Sequence, residues 1–261
     1  MHSYLRAIGF SNPFLCQRDV ERLLDDVFSN FDDREAIKFD ESNRAFVELS
    51  KNYGPDIGIK VCGEMDEYGF HRQYYYPYLR GSGVTTAENI TIERRVSGDS
   101  YTGVCEDPRV GCSLIFYLQN PALLAKQSYL KDMKHSFVTA TFSALSVEGK
   151  ILLPAKSEGD RKNEKTEESQ KTKDDFLNLY SIVDTCFAPY GMECDRYMII
   201  GYINTYQKVC NDYTREELYQ MNIRCNDMNF DICINRKDLL GDPEEGRRFK
   251  GTIWLQGRLN F

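Results

Sequence analysis

The sequence is short of the residues that carry most enzyme chemistry. Its 261 residues hold three histidines, His2, His71 and His135, and one tryptophan, Trp254. A thiol hydrolase pairs a cysteine with a histidine, and neither His71 nor His135 stands in a recognisable catalytic context. No two cysteines stand two residues apart, which excludes a zinc knuckle and a thioredoxin-type redox pair. Gly81-Ser82-Gly83 lacks both the lysine of a nucleotide loop and the third glycine of a dinucleotide turn. Apolar runs such as Leu114–Leu118 are far too short to cross a bilayer. The first ten residues carry Arg6 inside them and lack the charged-then-apolar order of a secretion signal. Positive charge is also in deficit. Lysine and arginine number 33 against 40 acidic residues, a net charge of -7. An acidic chain repels phosphate backbones, so an extensive nucleic-acid footprint is not expected.

What is present is an ordinary globular composition, 41% apolar and 28% charged. That suffices for a sizeable core in one large domain or two small ones. Nine cysteines at irregular spacing, with no export signal, read as reduced and mostly buried thiols. A cytoplasmic, membrane-free protein is the resulting expectation.

Periodicity divides the chain. Val20, Leu23, Leu24, Val27, Phe28 and Phe31 recur on one helical face, with Asn12-Pro13 as a plausible start. From about Phe46 the period changes to two. Ile57, Ile59 and Val61 alternate, and the Arg72–Leu79 stretch is rich in tyrosine. Cys112–Gln119 is apolar on both faces, as in a central strand. Asn120-Pro121 reads as the start of a second helix running to about Lys134. Val138–Ala144 alternates as a strand, and Glu148-Gly149 reads as a turn before Ile151. Residues 156–174 are almost devoid of apolar side chains, and are expected to form a linker or loop. The remainder is again β, with Asn226–Asn229 as a hairpin turn. Four strands there must close on themselves or join the first sheet, and a small open barrel is one solution.

The expectation is therefore an α+β fold. A mixed or antiparallel sheet with two or more helices occupies residues 1–155. After the 156–174 linker comes a β-rich, barrel-like module over residues 175–261, which can also pack with the first part as one domain.

Two features are candidate binding sites. In Gly246-Arg247-Arg248-Phe249-Lys250-Gly251, continued through Trp254 to Arg258, no acidic residue follows Arg247. Adjacent arginines can grip a carboxylate or phosphate, so an anionic ligand or a protein partner is expected at this basic end. The plainer reading is a clamp, with Arg247 or Arg248 pairing with Asp238, Asp242, Glu244 or Glu245, and with Trp254 in the core. Tyr74 and Tyr76 can stack a base or a sugar, and alternate tyrosines also serve as ordinary strand packing. Metal ligands are scattered, and neither a metal nor a cofactor is called for.

Several segments resemble one family. They are the opening Met1–Phe10, Leu114–Asn120, Glu148–Pro154, Tyr190–Asp195 and the stretch from Asp238 through Gly257. Together they resemble the clostridial domain of unknown function 3881 family across nearly the whole chain. The resemblance implies a coherent bacterial protein from anaerobes, and brings no activity, cofactor or catalytic residue.

The resulting expectation is a non-enzymatic binding or interaction protein. The alternative is an enzyme with an unrecognised site, a thiol- or carboxylate-dependent hydrolase or transferase, using Cys105 or Cys194 near His71 or His135.

Overall fold

A computed structural model describes residues 2–11, 16–38, 44–94, 100–107, 112–122, 138–152 and 183–260. The chain opens with α1 (His2–Leu5), a 3-10 turn (Arg6–Ile8) and α2 (Gln17–Ser29). The strands that follow are β1 (Asp33–Lys38), β2 (Ala45–Gly54), β3 (Ile57–Asp66), β4 (Gly69–Leu79), β5 (Val84–Arg94), β6 (Tyr101–Asp107) and β7 (Cys112–Leu118). Then come β8 (Val138–Leu152), β9 (Cys186–Pro189), β10 (Arg196–Cys210), β11 (Glu217–Cys225), β12 (Met228–Asn235), β13 (Leu239–Leu240) and β14 (Arg248–Asn260).

The amphipathic period located α2, but of the expected face Phe28 and Phe31 are 48% and 42% exposed, and Phe31 lies beyond the helix end. Val20, Leu23, Leu24 and Val27 are buried, each contributing about 1.5–3 kcal/mol by leaving water. Asp19 in its first turn accepts the Cys16 backbone N–H at 3.2 Å and caps the helix. The Asn12-Pro13 start lies outside the described residues, as do the second helix from Leu123 onward and the 156–174 segment.

The α+β expectation is overturned. Among the described residues α2 is the one helix longer than a turn, and strands make up most of the rest. An antiparallel sheet, β1-β2-β3-β4, stands apart from a ten-stranded system. Within the latter, β8, β14, β10, β11 and β12 pair in a closed ring. The physical reason lies in the sheet edges. Four C-terminal strands alone would leave two open edges, and an open edge is a pairing liability. Closure recruits β8, which runs parallel to β12 at Ile232↔Ala144 and antiparallel to β14 from Leu152↔Arg248 to Thr139↔Asn260.

The long β8–β14 ladder also serves a second circuit. The N-terminal part of β8 pairs with β5, while Gln256 and Gly257 of β14 pair with β7. With β6 between β5 and β7, five strands again meet end to end. β8 and β14 thus pass from one ring into the other, as only strands of 15 and 13 residues could.

Glu148-Gly149, expected as a turn, lies inside β8. Glycine is needed there because Phe249 packs over it. A Cβ on Gly149 would stand 2.4 Å from the Phe249 ring. The Asn226-Asp227 hairpin turn is a two-residue one, with φ of 46° and 64° and Cys225 paired to Met228. Such a turn matches the twist of the flanking strands.

Two cores result. One fills the rings with Phe116, Phe142, Ile199, Ile223, Phe230 and Phe249. The other lies where α1, α2 and the four-stranded sheet meet the outer faces of β7, β8, β12 and β14, and it holds Leu24, Ile59, Tyr76, Tyr117, Cys233 and Trp254. Strand β14 feeds both, since successive side chains point to opposite faces. Ile253 and Leu255 enter the ring core, while Trp254 enters the other.

Candidate functional site

Polar chemistry gathers along the seam between the sheet and the rings. Alternation in β3 turns Ile59 and Val61 to one face and Lys60 and Cys62 to the other. Glu48 of β2 stands opposite Cys62, and therefore diagonal to Lys60 on the same face. Lys60 Nζ donates to Glu48 Oε2 at 2.6 Å and to the Gln119 carbonyl at 3.0 Å. Glu48 Oε1 accepts the Ala122 N–H at 2.6 Å. The Tyr76 hydroxyl donates to the same Gln119 carbonyl at 2.7 Å. Burial pushes the Glu48 carboxyl above its ordinary value, against the pull of Lys60 and the Ala122 N–H. A cleft of about 20 Å³ opens over this pair, lined also by Asp33, Glu35, Arg80 and Arg258. Such a volume takes about one water.

The seam continues through two glutamines. Gln119 Nε2 donates to Gln256 Oε1 at 2.8 Å and to the Leu79 carbonyl at 3.0 Å. Gln256 Nε2 donates to the Pro77 carbonyl at 2.8 Å, and Ser143 Oγ to the Leu79 carbonyl at 2.7 Å. Buried amides must be paired to be tolerated, and these pairings fasten the end of β4 to β8 and β14.

Beyond Leu79 the chain leaves the sheet, and a second, wider groove begins. It measures about 430 Å³, and Arg80 lines both it and the cleft. One wall is Asp56, Arg80 and Ser82. The other is the outer face of β10, β11 and β12 with Thr205, Gln207, Gln220, Asn222 and Asp231. Cross-strand register sets these in rows, with Gln207 opposite Gln220, Thr205 opposite Asn222, and Asn222 opposite Asp231. Each row is tied internally. Gln207 Nε2 donates to Gln220 Oε1 at 2.7 Å, and Gln220 Nε2 to the Pro55 carbonyl at 2.6 Å. Asn222 Nδ2 donates to Asp231 Oδ1 at 2.8 Å. The Ser82 N–H and hydroxyl both donate to Asp231 Oδ2 at 2.7 Å. The groove is thus polar, with Gln207, Gln220, Asn222, Asp231 and Ser82 already hydrogen-bonded across its strands.

A family model, described as a domain of unknown function (DUF3881, E. rectale gene description), matches residues 5–178 and 170–257. The chain belongs to the DUF3881 family. No curated protein and no solved structure matches this member of the family.

In this DUF3881 member the basic residues singled out from the sequence are spread along β14. Arg247 pairs with Glu244 at 2.6 Å, the clamp arrangement. Arg248 is buried and its guanidinium donates to the Val183 carbonyl. Lys250 is half-buried beside them. Arg258 lies ten residues further on, roughly 30 Å along an extended strand, at the cleft over Glu48 and Lys60. Trp254 is 3% exposed, with Nε1–H donating to Asp195 Oδ2 at 2.9 Å and rings of Tyr4 and Tyr117 at 5.0 and 4.8 Å. Tyr74 and Tyr76 are core residues, and Tyr76 is fully buried 4.7 Å from the Tyr117 ring. Cys105 is buried in the ring core, Cys194 is exposed, and exposed His71 faces Asp66 at 3.1 Å. His135 lies outside the described residues.

The groove residues were not singled out beforehand. Gln220 and Asn222 alternate with apolar Tyr219, Met221 and Ile223, which is what any strand with a solvated face displays. Ser82 sat in a glycine pair read as a turn. Neither pattern distinguishes a ligand wall from ordinary surface.

Among the described residues no helix is long and apolar enough to cross a membrane.

Proposed function

We propose that this protein is a non-enzymatic binding protein, and that its ligand is a small polar molecule held in the groove between the sheet and β10–β12. The observation that carries the reading is the hydrogen-bonded lining of the 430 Å³ groove. That volume falls in the range of about 300–1,000 Å³ typical of small-molecule sites. A lining already immobilised loses little side-chain freedom on binding, which favours affinity. Eight of the nine cysteines are free thiols, which supports placing the protein in the reducing cytoplasm. The test is native mass spectrometry of the protein isolated gently from its own cells. A stoichiometric small-molecule adduct, absent when Gln207 and Asp231 are replaced by alanine, is the expected outcome. A bare mass for the wild type overturns the reading.

Glu48 favours a second reading, a carboxylate-dependent enzyme. A buried carboxyl with a raised pKa beside a cleft is the form a general acid takes.

A further inference from the structure

We infer that the groove takes a neutral sugar, a mono- or disaccharide. The inference rests on the reading of the groove as a small-ligand site and adds the chemical class of its ligand. Each alternative class meets an obstacle in the lining. An apolar ligand needs an apolar wall, but the ladder offers exposed Thr205 and Gln207 and half-buried Asn222, while Leu79 and Met221 are 1% exposed. A flat aromatic ligand needs a ring to stack on. Tyr206 is the one aromatic residue among the described lining and is 43% exposed, and its ring already packs edge-to-face against Tyr219 at 6.4 Å. A polyphosphate needs several cations, and Arg80 is the one cation among the described lining residues, which also include the carboxylates Asp56 and Asp231. A metal ion needs several converging ligands, whereas among the described residues no group of three or more His, Cys, Asp or Glu could hold one, and both Asp231 oxygens already accept from Ser82 and Asn222.

What the lining does offer is paired donors and acceptors. An amide side chain carries two N–H donors and an oxygen with two lone pairs. With one N–H of Gln207 committed to Gln220, its oxygen and second N–H remain. Half-buried Asn222 keeps a second N–H, and the exposed Thr205 hydroxyl supplies one more donor and acceptor. Adjacent strands set these groups about 4.8 Å apart. A sugar hydroxyl donates and accepts at the same atom, so a row of amides matches a row of hydroxyls. Arg80 at the rim can donate to two neighbouring oxygens at once.

Saturation-transfer difference NMR tests this with D-glucose, D-galactose, D-xylose, N-acetyl-D-glucosamine, maltose and cellobiose, and with ATP and citrate as anionic controls. At least one neutral sugar is expected to receive saturation, reduced at least five-fold in Gln207→Ala and in Thr205→Val. Thr205 is exposed, so Thr205→Val keeps the wild-type melting temperature, whereas Gln207→Ala also removes the donor to Gln220 and is read beside it. No transfer to any of the six sugars overturns the inference, as does transfer undiminished in both variants. A control anion bound in their place, and lost in Gln207→Ala, sinks the sugar while the small-ligand reading stands. A bare native mass together with silence across the whole panel removes both.

Discussion

Lys60 Nζ lies 2.6 Å from Glu48 Oε2 with both side chains buried, and the same ammonium reaches the Gln119 carbonyl at 3.0 Å. Two strands of the sheet and the segment after β7 therefore meet at one cation. Removing one partner leaves a buried charge uncompensated, which costs about 3–5 kcal/mol. Lys60→Met is expected to destabilise by that amount at pH 8 in urea titration. Glu48→Gln in the Lys60→Met background is expected to recover at least about 1 kcal/mol, because Gln keeps an acceptor for the Ala122 N–H. The pH dependence has a definite sign. Burial raises the Glu48 carboxyl above its ordinary 4.5, and a raised acid contributes stability fully below that value and loses it as pH rises. The Lys60→Met penalty should therefore shrink from pH 8 to pH 5. An equal penalty at both would contradict this.

Gly149 and Phe249 fit closely in the ring core. Gly149→Ala drives a methyl to within 2.4 Å of the ring, and overpacking of this kind costs about 1–3 kcal/mol. Phe249→Leu in the same chain should return part of that loss, so that the double variant is more stable than the sum of the single effects predicts. Trp254 fluorescence reports the unfolding, since it is the lone tryptophan and is buried. Simple additivity would mean that the two residues do not share space.

The two adjacent arginines should behave differently. Half-buried Arg247 pairs with exposed Glu244 three residues away, an arrangement worth about 0–1 kcal/mol. Arg248 is buried and donates to the Val183 carbonyl, so truncation removes both that bond and the packing of the buried side chain, and is expected to cost more, about 1–3 kcal/mol. Urea midpoints of Arg247→Ala and Arg248→Ala are expected to differ accordingly. Equal losses would mean that the clamp matters more than its exposure allows.

Acid stability should pass through Glu216. Partial burial raises its carboxyl, but hydrogen bonds from Ser11, Lys237 and Asn235 outweigh that and hold it below its ordinary 4.5. A lowered acid contributes stability that is present above the unfolded value and is lost as pH falls through the folded one. Melting temperature should drop between pH 5 and pH 3 in the wild type, and drop less steeply in Glu216→Gln. Parallel curves would assign the acid transition to other carboxylates.

What could be read from the sequence was local. The helical face from Val20 to Val27, the alternation of Ile57, Ile59 and Val61, and the turn at Asn226-Asp227 follow from side-chain period and turn chemistry. The family was legible as well, from whole segments of sequence. Partnership between distant strands was not. Alternation states that a strand has two faces and is silent on what covers each. Only the folded chain decides that β8 closes a ring with strands more than fifty residues later. Gly149 shows the difference. Beside Glu148 it reads as a turn, and it lies in a continuous strand because Phe249, a hundred residues on, needs its empty side. The site is decided in the same way. Ser82, Gln207, Gln220, Asn222 and Asp231 come from four separate segments, and each alone is an ordinary polar residue. Closing the rings against the sheet sets them side by side, and hydrogen bonds between partners that no sequence window contains hold them there.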